Sequence, residues 1–464
     1  MSAVPSTAHR HDQPANHAAP KARAVELSGW GRHPRSECAL LEARGAEDVL
    51  GAIAGNQTLI ARGNGRSYGD PALNPAGTLS LLKSNRFIDF DPASGMLTCE
   101  AGVLLEDVID TFLPRGWFPP VTPGTKFVTI GGMIASNVHG KNHHLAGSFG
   151  NHVESLDLAL ADGQVMRCSR TENESLFEAT CGGMGLTGVI LRARFRLMPV
   201  ETSFIRRETR RLRNLSEAMD AFEAARDWTY SVAWIDCLAR GDALGRSLLF
   251  LGEHARADEL PGPRRLSPLA LPKKHSRTVP IDVPGFVQNR WSIGAFNELY
   301  YRIAPPGTDV LDYDRFFYPL DGILEWRRLY GRAGLVQYQC VLPLAASRAG
   351  LTLLLKRIAD AGLGSFLGVL KLFGQQKSGL MSFPMEGYTL ALDFPASAKT
   401  LALFPVLDAI VADHGGRLYL AKDAATSPAM IERFYPGLAQ FRAVRKRVDP
   451  AGKFASLQSR RLGL

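Results

Sequence analysis

Residues 121–150, VTPGTKFVTIGGMIASNVHGKNHHLAGSFG, gather more potential chemistry than any other part of the chain. A Pro-Gly turn leads into a glycine pair that opens an apolar segment, followed by His139, Lys141, His143 and His144. Glycines let a backbone approach a planar or phosphorylated ligand closely, because no Cβ intervenes. The histidines and the lysine add proton-transfer and anion-binding groups a few residues later. A backbone open to a cofactor, beside titratable side chains, is what redox chemistry on an alcohol needs. His143 and His144 are adjacent, share no face and lack carboxylate partners at ligand spacing, so no metal site is expected.

These groups need elements to hold them. Residues 58–62 read as a short strand entering the glycine loop 63–69. Residues 86–101 read as two strands around a turn at 91–95, and 103–113 carry helical spacing at Leu105, Val108, Ile109 and Phe112. Residues 155–168 form a hairpin on Asp162-Gly163. In 189–197 apolar residues alternate with Arg192, Arg194 and Arg196, the pattern of a half-buried strand with a solvated arginine face. After Pro199 two similar strand-helix blocks follow (217–238 and 337–361), with further strands at 366–373 and 388–394. These predict an antiparallel sheet with helices on one face. Residues 260–290, rich in proline and base, read as a long mobile loop.

A chain of 464 residues can build two or three cores. Hydrophobic content of 45% and charge of 21% are ordinary for a soluble globular protein. No run of about 18 apolar residues appears, so no membrane span is expected. The polar N-terminus, with His9, His11 and His17 but no apolar stretch, predicts a disordered tail rather than a secretory signal, and a cytoplasmic location. The six cysteines are scattered without a CxxC pair, which suits a reducing compartment. A net charge of +9 allows nucleic acid, an anionic membrane surface or a phosphorylated substrate. No nucleic-acid motif and no stripe of aromatics interleaved with base accompanies it, so nucleic acid is set aside.

Two glycine loops suggest a dinucleotide fingerprint, and both fail it. Gly63-Asn-Gly-Arg-Ser-Tyr-Gly69 is one residue too long. Gly183-Met-Gly-Leu-Thr-Gly188 has the spacing but follows a helix and precedes a strand. The fingerprint needs strand, loop, then helix, so that the pyrophosphate meets the helix N-terminus.

The ordered series ARGNGRSYGD (61–70), PGT (123–125), TIGGMIASNVHG (129–140), FEATCGGMGLTGVI (177–190) and DPAGKF (449–454) resembles the vanillyl-alcohol oxidase, or PCMH-type, FAD flavoproteins. Within them HGKNHHLAGSFGNHV (139–153), FLGVLKLFG (366–374) and LYLAKD (418–423) resemble the branch that oxidises a polyprenyl-phosphoryl ribose. The resemblance implies an α+β, two-domain chain: a tail at 1–24, an FAD-binding domain from 25–200 and 415–464, and an antiparallel-sheet substrate (cap) domain at 201–414. It implies oxidation of the sugar 2′-hydroxyl to the 2′-keto form, the first step toward the arabinose epimer used in cell-envelope glycans. A short-chain reductase partner would complete the epimerisation. The alternative is a soluble alditol or aldonolactone oxidase of the same superfamily, whose His-Trp-x-Lys type motif is replaced here by Leu418-Tyr-Leu-Ala-Lys422.

Residue by residue, the resemblance places Arg62, Gly63, Asn64, Gly65, Arg66, Ser67, Tyr68, Gly69 and Asp70 around the FAD pyrophosphate through backbone N–H groups. Gly124, Thr125, Thr129, Gly131, Gly132, Ser136, Asn137, His139, Gly140, Val189, Ile190 and Tyr419 follow as further cofactor contacts. Relatives that bind FAD covalently do so through a histidine where this chain has Arg66, and a guanidinium is a poor nucleophile, so FAD should be non-covalent. Tyr68, His139 and Lys422 are the candidates to take the hydroxyl proton. Lys422 as a base must fall from about 10.4 to near 7, roughly 4–5 kcal/mol; a protonated Lys422 stabilising the reduced flavin needs no such shift and is the preferred role. Lys141, Gln337, Gln339, Lys371, Asp393 and Lys422 are the substrate-contact candidates. Lys371 lies among alternating apolar residues of a strand, where a lysine ordinarily faces solvent. Mycobacterial members have a cysteine in the strand before Asp-Phe-Pro; here Ala391 stands in that strand. Arg264, Arg265, Lys273, Lys274 and Arg277, with Leu266, Leu269 and Leu271, suggest a peripheral membrane contact for a lipid-linked sugar phosphate.

Overall fold

Three sheets organise the computed structural model, which describes residues 20–272 and 276–464. The tail expectation, with His9, His11 and His17, falls on residues 1–19, outside the described residues. Arg23 and Ala24, expected in that tail, instead open the strand Arg23–Ser28, because they pair with Leu40 and Ala39 of Arg35–Glu42.

The first sheet has the order Arg23–Ser28, Arg35–Glu42, Thr78–Ser80, Ile60–Arg62. Its last two pairings are parallel, and Ile60–Arg62 delivers the chain into the glycine loop. The second sheet is antiparallel, in the order Phe87–Asp91, Met96–Glu100, Val189–Arg196, Val153–Ala159, Val165–Ser169. The turn, hairpin and half-buried strand read from the sequence are its parts: Ala193 and Phe195 are buried while Arg192 and Arg196 are exposed. The helix Leu105–Phe112 buries Leu105, Val108, Ile109 and Phe112, the stripe its spacing predicts. The short helix Ile130–Ala135 packs on Val189–Arg196. Its N-terminus is capped by Thr129, whose Oγ1 accepts from the Gly132 N–H at 3.2 Å.

The third sheet is antiparallel throughout, with eight strands in the order Gly307–Asp312, Phe204–Leu212, Ser247–His254, Tyr230–Ile235, Gly368–Phe373, Gly387–Pro395, Leu335–Pro343, Arg417–Leu418. The helices Leu215–Ala224, Leu344–Ala361 and Ala398–Asp413 pack side by side against it. Strand alternation then decides what the opposite face shows. In Leu335–Pro343, Tyr338 meets Phe404 of the last helix at 5.1 Å, so Gln337 and Gln339 turn away from the helices. Register aligns Gln337 with Asp393, Gln339 with Ala391, and Lys371 with Thr389. One polar row thus runs across three neighbouring strands.

Arg417–Leu418, from the segment expected to return to the FAD domain, first adds an edge strand to this sheet by pairing with Val341 and Cys340. Beyond it the chain rejoins the first sheet, where Leu59 N–H donates to the Lys453 carbonyl at 2.9 Å and Ala455 N–H to that of Leu59 at 3.0 Å. The connection after Leu260 is largely irregular, as expected, with a 3-10 turn at Gly262–Leu266 and a parallel pair between Arg277–Thr278 and Ile323–Leu324. Leu269 and Leu271 are half-buried against the core rather than free to enter a membrane, while Leu266 is exposed. Lys273 and Lys274 lie outside the described residues. The helix Arg290–Ile303 was not foreseen.

Candidate active site

The glycine loop turns where a side chain could not. Gly65 sits at φ +60°, in the left-handed region, and a Cβ at Gly69 would strike the Asp423 carbonyl. Tyr68 N–H donates to the Ala421 carbonyl at 2.9 Å, so the loop and the 419–423 segment form one unit. Arg62 and Asp70 are committed within the protein. Arg62 donates to the Ser28 carbonyl at 2.7 Å, and Asp70 pairs with Arg461 at 2.8 Å, which also binds Asp423 at 2.8 Å. Asn64 Nδ2 holds the Phe127 carbonyl at 2.8 Å. The Arg66 guanidinium lies over Trp30, 4.0 Å from the ring centroid, and its Nε is buried without a partner.

The second cofactor segment divides in the same way. Gly131 fits against Ala101, leaving no room for a ligand at its Cα, and Asn137 spends its amide on Ser382 Oγ (2.8 Å) and the Gly150 N–H (3.0 Å). Ser136 gives its carbonyl to the Tyr419 hydroxyl at 2.9 Å. Gly140 is closed off by Thr122 and Asn142. Thr125 Oγ1 accepts from the Phe127 N–H at 3.3 Å. Val189 and Ile190 are buried strand residues paired with Ala159 and Leu158. Gly124 is different, because a Cβ built there meets no atom within 4 Å.

These observations test FAD against the residues present. Among the described residues, no protein acceptor faces the backbone N–H groups of Asn64, Gly65, Arg66 or Ser67. The Gly124 face is open, and His139 Nδ1 is buried and unpartnered. Residues 64–67 are half-buried, whereas His139 Nδ1 is fully enclosed, and an unsatisfied buried polar atom is uncommon and points to a missing partner. These features fit FAD: the 64–67 amides would hold an anionic group such as its pyrophosphate, and the open Gly124 face and His139 Nδ1 would receive the rest of the group.

His139 joins this half to the polar row of the large sheet. Its Nε2 lies 3.1 Å from Gln339 Nε2, and its ring is enclosed by Phe373 (4.7 Å), Tyr419 (5.1 Å) and Phe383 (5.5 Å). Burial first, then the charges of Lys371, His143 and Lys422, hold its pKa well below the usual histidine value, so the ring is neutral. His143 packs on Phe373 at 4.5 Å and is pushed down to about 3 by burial and Lys371, while His144 bonds the Trp228 carbonyl.

Three lysines gather at this row. Lys422 Nζ sits 3.8 Å above the Tyr68 ring. Burial lowers its pKa, Asp393 opposes that and Lys371 reinforces it. Lys371 is lowered to about 8 by burial, and its charge acts on His139, Lys141, His143 and Lys422, which places it in the cluster rather than in solvent. Lys141 donates to the Phe316 carbonyl, with Nζ 4.4 Å from that ring, and falls to about 7 through burial, Lys371 and Arg207. Asp393 is the carboxylate facing Lys422; burial raises it, and Gln337 Nε2 donates to it at 2.5 Å. Burial drives the Tyr68 phenol well above its ordinary value, so it stays protonated and is no base.

The FAD binding domain family matches residues 46–169, and the D-arabinono-1,4-lactone oxidase family matches 389–462. The decaprenylphosphoryl-beta-D-ribose oxidase of Mycolicibacterium smegmatis is 38% identical over 452 residues, 94% of this chain and 97% of that protein. The chain belongs to the decaprenylphosphoryl-β-D-ribose oxidase family. An uncharacterized protein of Streptomyces coelicolor is 38% identical over 375 residues, 78% of this chain and 100% of its own length. The L-gulonolactone oxidase of Mus musculus is 32% identical over 155 residues, 32% of this chain and 34% of that protein. As a member of the decaprenylphosphoryl-β-D-ribose oxidase family the chain is an FAD-binding oxidoreductase, which bears out the resemblance drawn from its motifs.

Sequence reasoning about this decaprenylphosphoryl ribose oxidase relative missed Phe373, Phe383, Thr389, Trp30 and Tyr330. Phe373 was within reach, two residues after Lys371 and so on the same strand face. Trp30 and Tyr330 flank the glycine loop only through the tertiary fold and left no local signal.

Proposed function

We propose that this chain oxidises the 2′-hydroxyl of a polyprenyl-phosphoryl-β-D-ribose to the 2′-keto sugar. The observation that carries this reading is the charge of the polar row: Lys141, Lys371 and Lys422 cluster there, with Asp393 the carboxylate that acts on Lys422. Three buried amines beside one carboxylate suit a sugar bearing a phosphodiester, whose charge would hold Lys141 and Lys371 protonated, better than a neutral polyol or lactone. The name of the Mycolicibacterium smegmatis relative supports the same substrate class.

FAD, when bound, supplies the two-electron acceptor; the chain's own residues supply the rest. Lys422, lowered by burial and held against Tyr68, takes the hydroxyl proton as a neutral amine. This reading replaces the preference for a permanently protonated Lys422, and the burial that lowers the amine's pKa supports it. Asp393, fixed by Gln337, tunes that amine. His139 presents Nδ1 as a donor, and Phe373, Phe383 and Tyr419 shield it from water. A reductase returning the ketone to the epimeric alcohol would complete the conversion.

The lactone oxidase match at 389–462 makes aldonolactones the comparison substrate. Incubation with the lipid sugar and an artificial electron acceptor, followed by borodeuteride trapping, should place deuterium at C2 of the pentose. Deuterium at another carbon, or turnover of the free lactone alone, would refute the assignment.

A further inference from the structure

The helix Arg290–Ile303 is turned inside out. Its buried face holds Ile293 and a polar residue, Asn297, whose Nδ2 donates to Asp236 Oδ1 at 2.8 Å. Asp236 in turn pairs with Arg246 at 2.8 Å, and Arg246 with Glu298 of the helix at 2.6 Å, so polar bonds anchor the inner side. Trp291, Leu299 and Ile303, at four- and eight-residue spacing on one stripe, are 73%, 58% and 66% exposed. Phe296 and Tyr300 stand exposed beside them. An amphipathic helix of a globular protein normally presents the opposite arrangement, and large exposed apolar patches mark interaction surfaces.

The patch is regional. Of the eighteen large hydrophobic residues exposed among the described residues, eleven fall between Leu266 and Leu329. Among the described residues of 260–303, five arginines stand against two Asp or Glu, and Arg290 lies 4.4 Å from the Trp291 ring centroid. The patch is continuous with the catalytic side. Phe296 stands edge-on to Phe366 at 5.2 Å, and Tyr300 to Trp234 at 5.0 Å. Leu367, next in the chain, packs on the cluster of Tyr68, Trp326, Tyr330 and Leu335, and Lys422 sits over Tyr68.

We propose that Trp291, Leu299 and Ile303 form a docking face for an anionic lipid bilayer, set so that a prenyl chain passes along Phe296, Phe366 and Leu367 toward Lys422. An apolar stripe flanked by base and lying on a folded body is the chemistry of an interfacial helix. A second copy of this chain would have to accept the same basic surrounding, whereas an anionic bilayer is complementary to it. The prenyl path rests on the substrate reading above; bilayer docking does not.

The FAD-loaded protein should co-sediment with equimolar phosphatidylglycerol–phosphatidylcholine vesicles, and more weakly with phosphatidylcholine alone. The double variant Leu299→Glu/Ile303→Glu should lose about tenfold or more of that partitioning while keeping its FAD and its turnover of a short-chain, water-soluble polyprenyl-phosphoryl ribose. Its turnover of long-chain substrate embedded in vesicles should fall with its binding. The single variant Trp291→Glu, at the far end of the stripe, should lower vesicle binding in the same direction. Wild-type protein left in the supernatant, or variants that bind vesicles as well as wild type, would overturn the proposal. So would a wild-type dimer by light scattering that the double variant dissociates, since the face would then belong to a second copy. Vesicle binding without turnover of any ribose substrate would leave docking intact and refute the substrate reading instead.

Discussion

Gln339 Nε2 and His139 Nε2 stand 3.1 Å apart across the seam between the large sheet and the segment that follows Ile130–Ala135. The same amide nitrogen reaches Thr389 Oγ1 at 3.3 Å, and the Thr389 hydroxyl is committed to the Cys340 carbonyl at 2.8 Å, so Thr389 can only accept. Gln339 therefore donates to both, His139 Nε2 accepts, and the histidine proton rests on Nδ1. The exchange Gln339→Glu puts an acceptor there, moves the proton to Nε2 and favours the charged ring. Turnover should fall by about tenfold or more, as when a catalytic histidine is held in the wrong tautomer. Nitrogen NMR of His139 should show the tautomer change; an unchanged spectrum with unchanged turnover would contradict this arrangement.

Lys422 must be neutral to accept a proton, and burial lowers its pKa while Asp393 raises it. The value of kcat/KM should therefore climb as pH rises through this depressed pKa. Replacement by methionine, Lys422→Met, should abolish that limb and cost about 10²–10⁴ in rate with FAD retained. Asp393→Asn removes the opposing carboxylate, so the limb should move to lower pH. A limb that moves upward, or stays fixed in both variants, would assign the proton to another group.

Gly124 and Gly69 should respond oppositely to enlargement. Space beside Gly124 is free of protein atoms, so Gly124→Val should leave the FAD-free protein within about 0.5 kcal/mol of wild type. FAD binding should weaken by about tenfold or more, ~1.4 kcal/mol. At Gly69 the Asp423 carbonyl blocks any side chain, so Gly69→Ala should destabilise the fold by about 1–3 kcal/mol. Thermal melting with and without FAD separates the two effects.

Arg461 holds Asp70 and Asp423 together at 2.8 Å each, and their side chains are 6% and 2% exposed. Arg461→Met leaves two nearly buried carboxylates facing each other without a cation. Urea unfolding should show a loss of about 3–5 kcal/mol. A loss under about 1 kcal/mol would mean that the pair is not desolvated as the geometry implies.

Periodicity was enough to read much of this fold. Alternation in 189–197 and helical spacing in 103–113 follow from residues meeting a core on one side, and the strand and helix appear there. Lys371 shows where local pattern stops. A polar residue alternating with apolar ones ordinarily meets water, but here the His139 segment roofs that face, a fact of tertiary placement. Arg66 was read as a backbone contact and as a guanidinium too poor a nucleophile to bond FAD; that its side chain finds Trp30, thirty-six residues upstream in another sheet connection, left no local signal. The helix Arg290–Ile303 escaped detection because its apolar residues are not the ones it buries, so its pattern does not point to a core.

Anaerobic titration of the purified flavoprotein tests the central claim most directly. Polyprenyl-phosphoryl ribose should bleach the flavin absorbance, while xylitol and gulonolactone at the same concentration leave it unchanged. The Lys422→Met protein should keep its flavin and bleach at least about a hundredfold more slowly. Bleaching by the free polyol or lactone and not by the lipid-linked sugar would contradict the account.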